Sequence, residues 1–290
     1  MNIQYSLIAE SFNSNLAKED ITLQEQLSNF LEVLEMLAVD ETLQYPLELY
    51  DQVITKNQSL ADWLYSDGKL RDEKKLFQLM LRKMQMVDKT DILTTIDQLQ
   101  SKEYDQASAL LTFYSWDISD VDSRLLVQTT ENCYETRRFY LHHVDDASTF
   151  LDYSESCFPQ LYINKRVYQT LKRMKPFRDY IEEIILHLTA LNDHAPSLFI
   201  QFQDQNETVV LKHLEIIGNI FCSIQGDPAY EKANLCFEFP TDEGDIISIV
   251  CAPHTKLFNK YSNERIYFHW GHPDVHKGEK LLIGHIGDHL

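Results

Sequence analysis

Six of the eleven histidines in this 290-residue chain fall within residues 254–290: His254, His269, His272, His276, His285 and His289. The same stretch carries Lys256, Arg265, Tyr267 and Asp288. Imidazoles titrate near neutrality and an arginine can grip a phosphate, so this set has the parts for a general base, a general acid and a cation that steadies developing negative charge. A reaction that such residues serve without a metal is attack of a ribose hydroxyl on its own phosphate. Alternate side chains of a strand share a face. In "RIYFHW" this predicts Arg265, Tyr267 and His269 on one surface, with Ile266, Phe268 and Trp270 on the other. In "KLLIGHI" it sets His285 with the apolar Leu281 and Ile283, and brings Asp288 and His289 beside the Arg265 set.

Two other readings compete. His269, His272 and His276 have H-x2-H-x3-H spacing, but zinc sites usually bring a stiff knuckle or helix and a second ligand pair, and neither is visible. No metal is expected. The cluster could instead be the solvated face of a sheet, with Arg265 paired to a carboxylate. No phosphate-cradling, dinucleotide-binding, nucleophile-elbow or zinc-protease motif occurs, and the chain has only eight glycines, so no cofactor is expected.

The elements that must hold these residues fall into two groups. Leu23, Leu27, Phe30, Leu31, Leu34 and Leu37 recur at helical steps, with Thr22 as a cap. "SLADWLYSD", capped by Ser59 with Gly68 beyond its end, and the helical patterns of "RDEKKLFQLMLRKMQMV" and "KTDILTTIDQLQSKEY" follow. Residues 20–106 thus read as a helical bundle. Residues 107–145, including "RRFYLHHV", have short runs compatible with strands. "NKRVYQTLKRM" and "FRDYIEEIILHLTALNDHA" return to helix, and "NETVVLKHLEIIGNIFCSI" is ambiguous. "LCFEFP" and "IISIVCAP" read as a hairpin about "TDEGD", and "ERIYFHW" with "EKLLIGHI" as another. The predicted class is α+β: a mainly helical acidic domain over 1–155, then a smaller α+β domain over 156–290 whose C-terminal antiparallel sheet packs on helices.

The order "HTKLF", "RIYF", "IGHIGDHL" resembles the second half of the RelE/HigB-type toxins, small messenger RNases in which a helical hairpin precedes a twisted antiparallel sheet. The likeness covers about 55 residues. It implies that His254 and Lys256 approach the substrate backbone, that Arg265 binds the scissile phosphate, that Asp288 and His289 form a terminal catalytic pair, and that the setting is a bacterial toxin or phage-defence system. With the strand reading, the candidate catalytic set is Arg265, His269, Asp288 and His289, and the candidate substrate-binding set is His254, Lys256 and Tyr267.

Charge bears on partners. Residues 254–290 hold five Lys/Arg against four Asp/Glu, leaving 21 against 41 in residues 1–253. Such a body repels a polyanion, so broad binding to duplex DNA is not expected, while RNA at the C-terminal domain is compatible. Five widely spaced cysteines without C-x-x-C read as buried small hydrophobes of a reducing cytoplasm, and no apolar run reaches membrane-spanning length. Two functions follow as expectations: a non-catalytic interaction subunit that docks a protein partner in a larger assembly, or a metal-independent RNase restrained by its acidic N-terminal domain.

Overall fold

The computed structural model describes residues 1–17, 21–37, 41–55, 57–202 and 204–290. The flanks of the first predicted helix at 19–20 and 38–39 lie outside the described residues. Helix and strand are mixed throughout, as the α+β class requires, and the chain divides into two compact units, Met1–Tyr140 and Leu141–Leu290. The division precedes the expected one at 155/156, and the second unit is not the smaller. Among the described residues no helix is long and apolar enough to cross a membrane.

The N-terminal unit is not a helical bundle. Its centre is a five-stranded parallel sheet of β1 (Gln4–Leu7), β2 (Thr42–Pro46), β3 (Gln85–Val87), β4 (Ser108–Leu111) and β5 (Leu126–Val127), in the order β3-β2-β1-β4-β5. The predicted helices exist as α1 (Leu23–Leu37), α2 (Leu60–Tyr65), α3 (Arg71–Lys83) and α4 (Lys89–Gln100). Thr22 and Glu25 form a reciprocal cap at α1, each side chain bonding the other's backbone N–H at 3.2 and 2.8 Å. Ser59 Oγ accepts the Asp62 N–H at 3.1 Å. The sheet escapes prediction because its strands are two to five residues long and the central ones, β1, β2 and β4, are buried on both faces, while only the edge strand β3 is exposed. Tyr5, Ser6 and Leu7 are all fully buried, so no polar alternation marks β1. "RRFYLHHV" is not a strand; Arg137 to Leu141 close helix α5 (Thr130–Leu141). There Arg137 meets Glu41 in a buried ion pair at 3.2 Å, and Glu41 also accepts the Ile3 N–H at 2.7 Å.

Strand order fixes where a ligand crevice would lie. In open parallel sheets it forms beyond the carboxyl ends of the strands where the winding reverses, here between β1 and β4. That place is filled. Phe12 follows β1 and Phe113 follows β4; their rings stack at 4.4 Å, and Phe30 of α1 meets both edge-on at 5.6 and 5.4 Å. The Phe113 N–H donates to Ser11 Oγ at 2.9 Å and its carbonyl accepts from Gln26. An opening nearby, against Tyr114 and Gln128, holds about 30 Å3, the space of a single water.

The C-terminal unit places helices α6 (Ala147–Cys157), α7 (Tyr168–Leu171), α8 (Arg178–Asp193), α9 (Ala195–Gln201) and α10 (Glu207–Gly218) before most of its strands. Its sheet joins β6 (Leu161–Ile163), β7 (Phe221–Ile224), β10 (Pro253–Lys256), β11 (Glu264–His269) and β12 (Leu281–Asp288) in the order β6-β12-β11-β10-β7. Only the β6–β12 pair is parallel. The predicted hairpins are present: β8 (Cys236–Pro240) with β9 (Ile246–Val250), and β11 with β12. The ambiguous "NETVVLKHLEIIGNIFCSI" supplies both α10 and β7. Thr255, Ile266, Phe268, Ile283 and Ile286 are buried on one face. On the other, Leu235, Phe239 and Ile249 of the β8–β9 ribbon and its flank pack with Tyr267, Val275 and Leu282. Of the cysteines, Cys133, Cys157 and Cys251 are buried as expected, whereas Cys222 is half-buried and Cys236 exposed.

Candidate functional site

The ribbon-side face of the C-terminal sheet gathers most of the predicted residues into rows. Ser223 of β7, His254 of β10, Tyr267 of β11 and His285 of β12 are successive cross-strand neighbours. The His254 and Tyr267 rings lie 4.8 Å apart, and those of Tyr267 and His285 5.8 Å apart. The next row holds Lys256 opposite Arg265. His289 completes the group, its ring 6.4 Å from that of Tyr267 and its N–H donating to Asn263 O at 2.8 Å.

His285 stands in this row against expectation. Between Tyr267↔His285 and Phe268↔Ile283 the pairing skips one residue of β12, so Gly284 is a bulge and the alternation inverts there. The glycine also admits the ribbon: a Cβ at Gly284 would sit 2.4 Å from Phe237 Cδ2 and 2.9 Å from Cys251 Sγ.

Most of these side chains are committed internally. His254 is buried; its Nδ1–H donates to Ala252 O at 3.2 Å, which leaves Nε2 to accept the Ser223 hydroxyl at 2.8 Å. Burial, with the cations of Arg265 and Lys256 nearby, pulls its pKa down to about 4. The His285 Nε2–H donates to Asp288 O at 2.9 Å, and burial lowers its pKa too. Arg265 is buried rather than solvated. Its Nη1 donates to Ser262 O and to Glu264 O at 3.0 Å, stitching the turn before β11, and its Nε has no hydrogen-bond partner. Among the described residues no carboxylate pairs with it. Tyr267 is 1% exposed, and burial raises its hydroxyl pKa against a hydrogen bond from the Leu290 backbone.

Of the predicted catalytic residues His269 lies apart, and Asp288 leaves the polar rows for the cavity edge beside His289. His269 shares the Tyr267 face but lies four residues along the strand from Arg265, about 13 Å. There its Nδ1 accepts the Gly271 N–H at 3.3 Å. Asp288 is exposed and accepts from Asn263 Nδ2 at 3.2 Å. The three histidines at metal-like spacing diverge: the His269 and His272 rings are 6.5 Å apart, whereas His276 lies against Tyr162 at 4.6 Å. Among the described residues no group of three or more His, Cys, Asp or Glu side chains could hold a metal ion.

Sequence reasoning missed Ser223, hidden in an ambiguous segment, and two cations. Arg173 and Lys175 line a cavity of about 200 Å3 with Glu264, His285, Asp288 and His289. A lone glycine inside an alternating strand is the one signal that could have placed His285, since it marks a bulge. Comparison of the chain with family models, curated proteins and solved structures finds no match.

Proposed function

We propose that the chain is a non-catalytic interaction subunit that binds a protein partner through its C-terminal unit. One observation carries this reading. Leu186, Ile216, Phe221 and Phe258 are exposed around a single pocket of about 370 Å3, and Ile216 is 79% exposed. Exposed apolar side chains gathered around one opening, here with polar residues between them, mark an interface more often than singly scattered ones do. The internal commitments of His254, Arg265 and Tyr267 fit a supporting role for the polar rows. The test is the state of the chain isolated from its own cells. A complex of defined stoichiometry that Ile216→Asp abolishes supports the reading; a monomer in wild type overturns it.

A second reading, the metal-independent RNase, has its own support. Lys256, Arg265, His285 and His289 share one face, Arg173 and Lys175 join the last two at an open cavity, and the contacting helices α8 and α10 precede the antiparallel β10–β12 run. In that reading one of His285 and His289 takes the proton of the ribose 2′-hydroxyl as it bonds to phosphorus, the other gives a proton to the departing 5′-oxygen, and the cations hold the phosphate. Cleavage of single-stranded RNA, with EDTA and with ribosomes in parallel, decides it. Turnover that survives EDTA and is lost in the Arg265→Ala, His289→Ala variant supports the nuclease. Absence of cleavage from a folded wild type removes it.

A further inference from the structure

We infer that the pocket between α8, α10 and β7 receives an arginine side chain from a basic segment of the partner. This rests on the interaction reading and names what the partner must carry.

The pocket has a charged rim. Glu183 and Glu215 are half-buried, and each uses one oxygen within the fold: Glu183 Oε2 accepts the Phe258 N–H at 3.1 Å, and Glu215 Oε1 accepts the Cys222 N–H at 2.8 Å. Their other oxygens make no hydrogen bond among the described residues, and no lysine or arginine lines the pocket. The lining histidine does not balance them. His187 is 2% exposed, its Nδ1 has no partner, its Nε2 lies 3.7 Å from Glu183, and burial pulls its pKa down to about 4, so it is neutral at pH 7. Two carboxylates therefore face an opening whose remaining walls are Leu186, Ile216, Ile220, Phe221 and Phe258 with the neutral polar Asn219 and His187. A net charge of −19 draws basic partners to the chain as a whole.

The walls narrow the choice of cation. Phe221 and Phe258 are both partly exposed, and Leu186, Ile216 and Ile220 continue the apolar lining. Phe258 holds a left-handed backbone conformation, with φ at 62°, which a bulky residue adopts only at a cost. The Glu183 carboxylate fixes that turn through the Phe258 N–H, and the ring, edge-on to Tyr180 at 5.7 Å, is left partly exposed. A guanidinium is planar, weakly hydrated, stacks on aromatic faces and offers forked donors to two carboxylates, while its three-carbon stem covers apolar surface. An ammonium offers a compact, strongly hydrated charge and matches this lining less well.

The test titrates the full chain, with isoleucine methyls labelled for NMR, against N-acetyl-arginine amide, N-acetyl-lysine amide and the neutral isostere N-acetyl-citrulline amide. Saturable shifts at Ile216 and Ile220 are expected with arginine, weaker ones with lysine and none with citrulline. Glu183→Gln with Glu215→Gln keeps both backbone bonds and is expected to weaken arginine binding about ten-fold or more. Linear shifts, equal binding of citrulline, or no effect of the double variant overturns the assignment. If arginine fails to bind while Ile216→Asp still dissolves the native complex, the arginine assignment falls and the interaction reading stands. If arginine binds and the chain from its own cells is monomeric, the reverse holds.

Discussion

The two units close their sheets in opposite ways. In the N-terminal unit the place where a parallel sheet of this order would take a ligand is occupied by Phe12, Phe30 and Phe113 and tied off by Ser11 and Gln26. In the C-terminal unit, openings of about 200 and 370 Å3 remain beside charged side chains. Fold alone would have directed the search for a crevice to the N-terminal unit, where that place is filled. Strand order says where a crevice can form, and the side chains at that position decide whether one does.

Four substitutions would break or sharpen this contrast. Phe113→Ala removes the centre of the aromatic plug and is expected to cost about 3–5 kcal/mol, as other buried Phe→Ala changes do. Denaturant unfolding reads the loss, and hydrogen exchange over residues 1–140 locates it; an unchanged stability would mean that the crevice is not closed by packing.

Next comes acid sensitivity in the C-terminal unit. Folded His254 resists a proton that the unfolded chain accepts near pH 6.5. Stability contributed by its neutral, hydrogen-bonded form is therefore present above that pH and is lost as pH falls from about 6.5 towards about 4. The loss is on the order of 3 kcal/mol. His254→Asn should shrink the difference between unfolding free energies at pH 7 and pH 4.5, and an undiminished difference would show that His254 is not its source. His187, buried with a similarly lowered pKa, supplies part of what remains.

Gly284→Ala forces a methyl into the Phe237 ring and should destabilise by about 1–3 kcal/mol. Faster exchange confined to residues 236–250 would place the damage in the β8–β9 ribbon, whereas uniform exchange would deny the bulge its packing role. Smallest is Ser59→Ala in the N-terminal unit, where loss of the α2 cap should cost about 1 kcal/mol. A loss several times larger would mean that α2 holds the sheet rather than decorating it.

Legibility in the sequence tracked length and solvent exposure. The α1 stripe and the β8–β9 hairpin could be read because each has one face in water, and the β11–β12 hairpin, buried on both sides, because Arg265, Tyr267 and His269 still alternate with apolar residues. "QYSL", "TLQYP" and "SALL" are buried on both sides and too short to show a period, and with them went the parallel sheet. At the polar rows, residue types and most of the shared face could be read. Their burial could not, because it comes from the β8–β9 ribbon folding over them, a contact without a local signature. The side of His285 was lost to one inserted residue.

Glu215 has a consequence for the behaviour of the chain in concentrated solution. β7 is the last strand of its sheet as described, and it exposes Phe221 and Ile224. An apolar strand with free backbone donors is a template on which a second copy can add and extend the sheet from molecule to molecule. Glu215 occupies the outward Cys222 N–H, so the strand offers one donor fewer to a newcomer and sets a negative charge in its path. Glutamine at this position would keep the block on the donor, whereas alanine would lift it. The carboxylate that lines the pocket thus also removes one backbone donor from the open edge of β7.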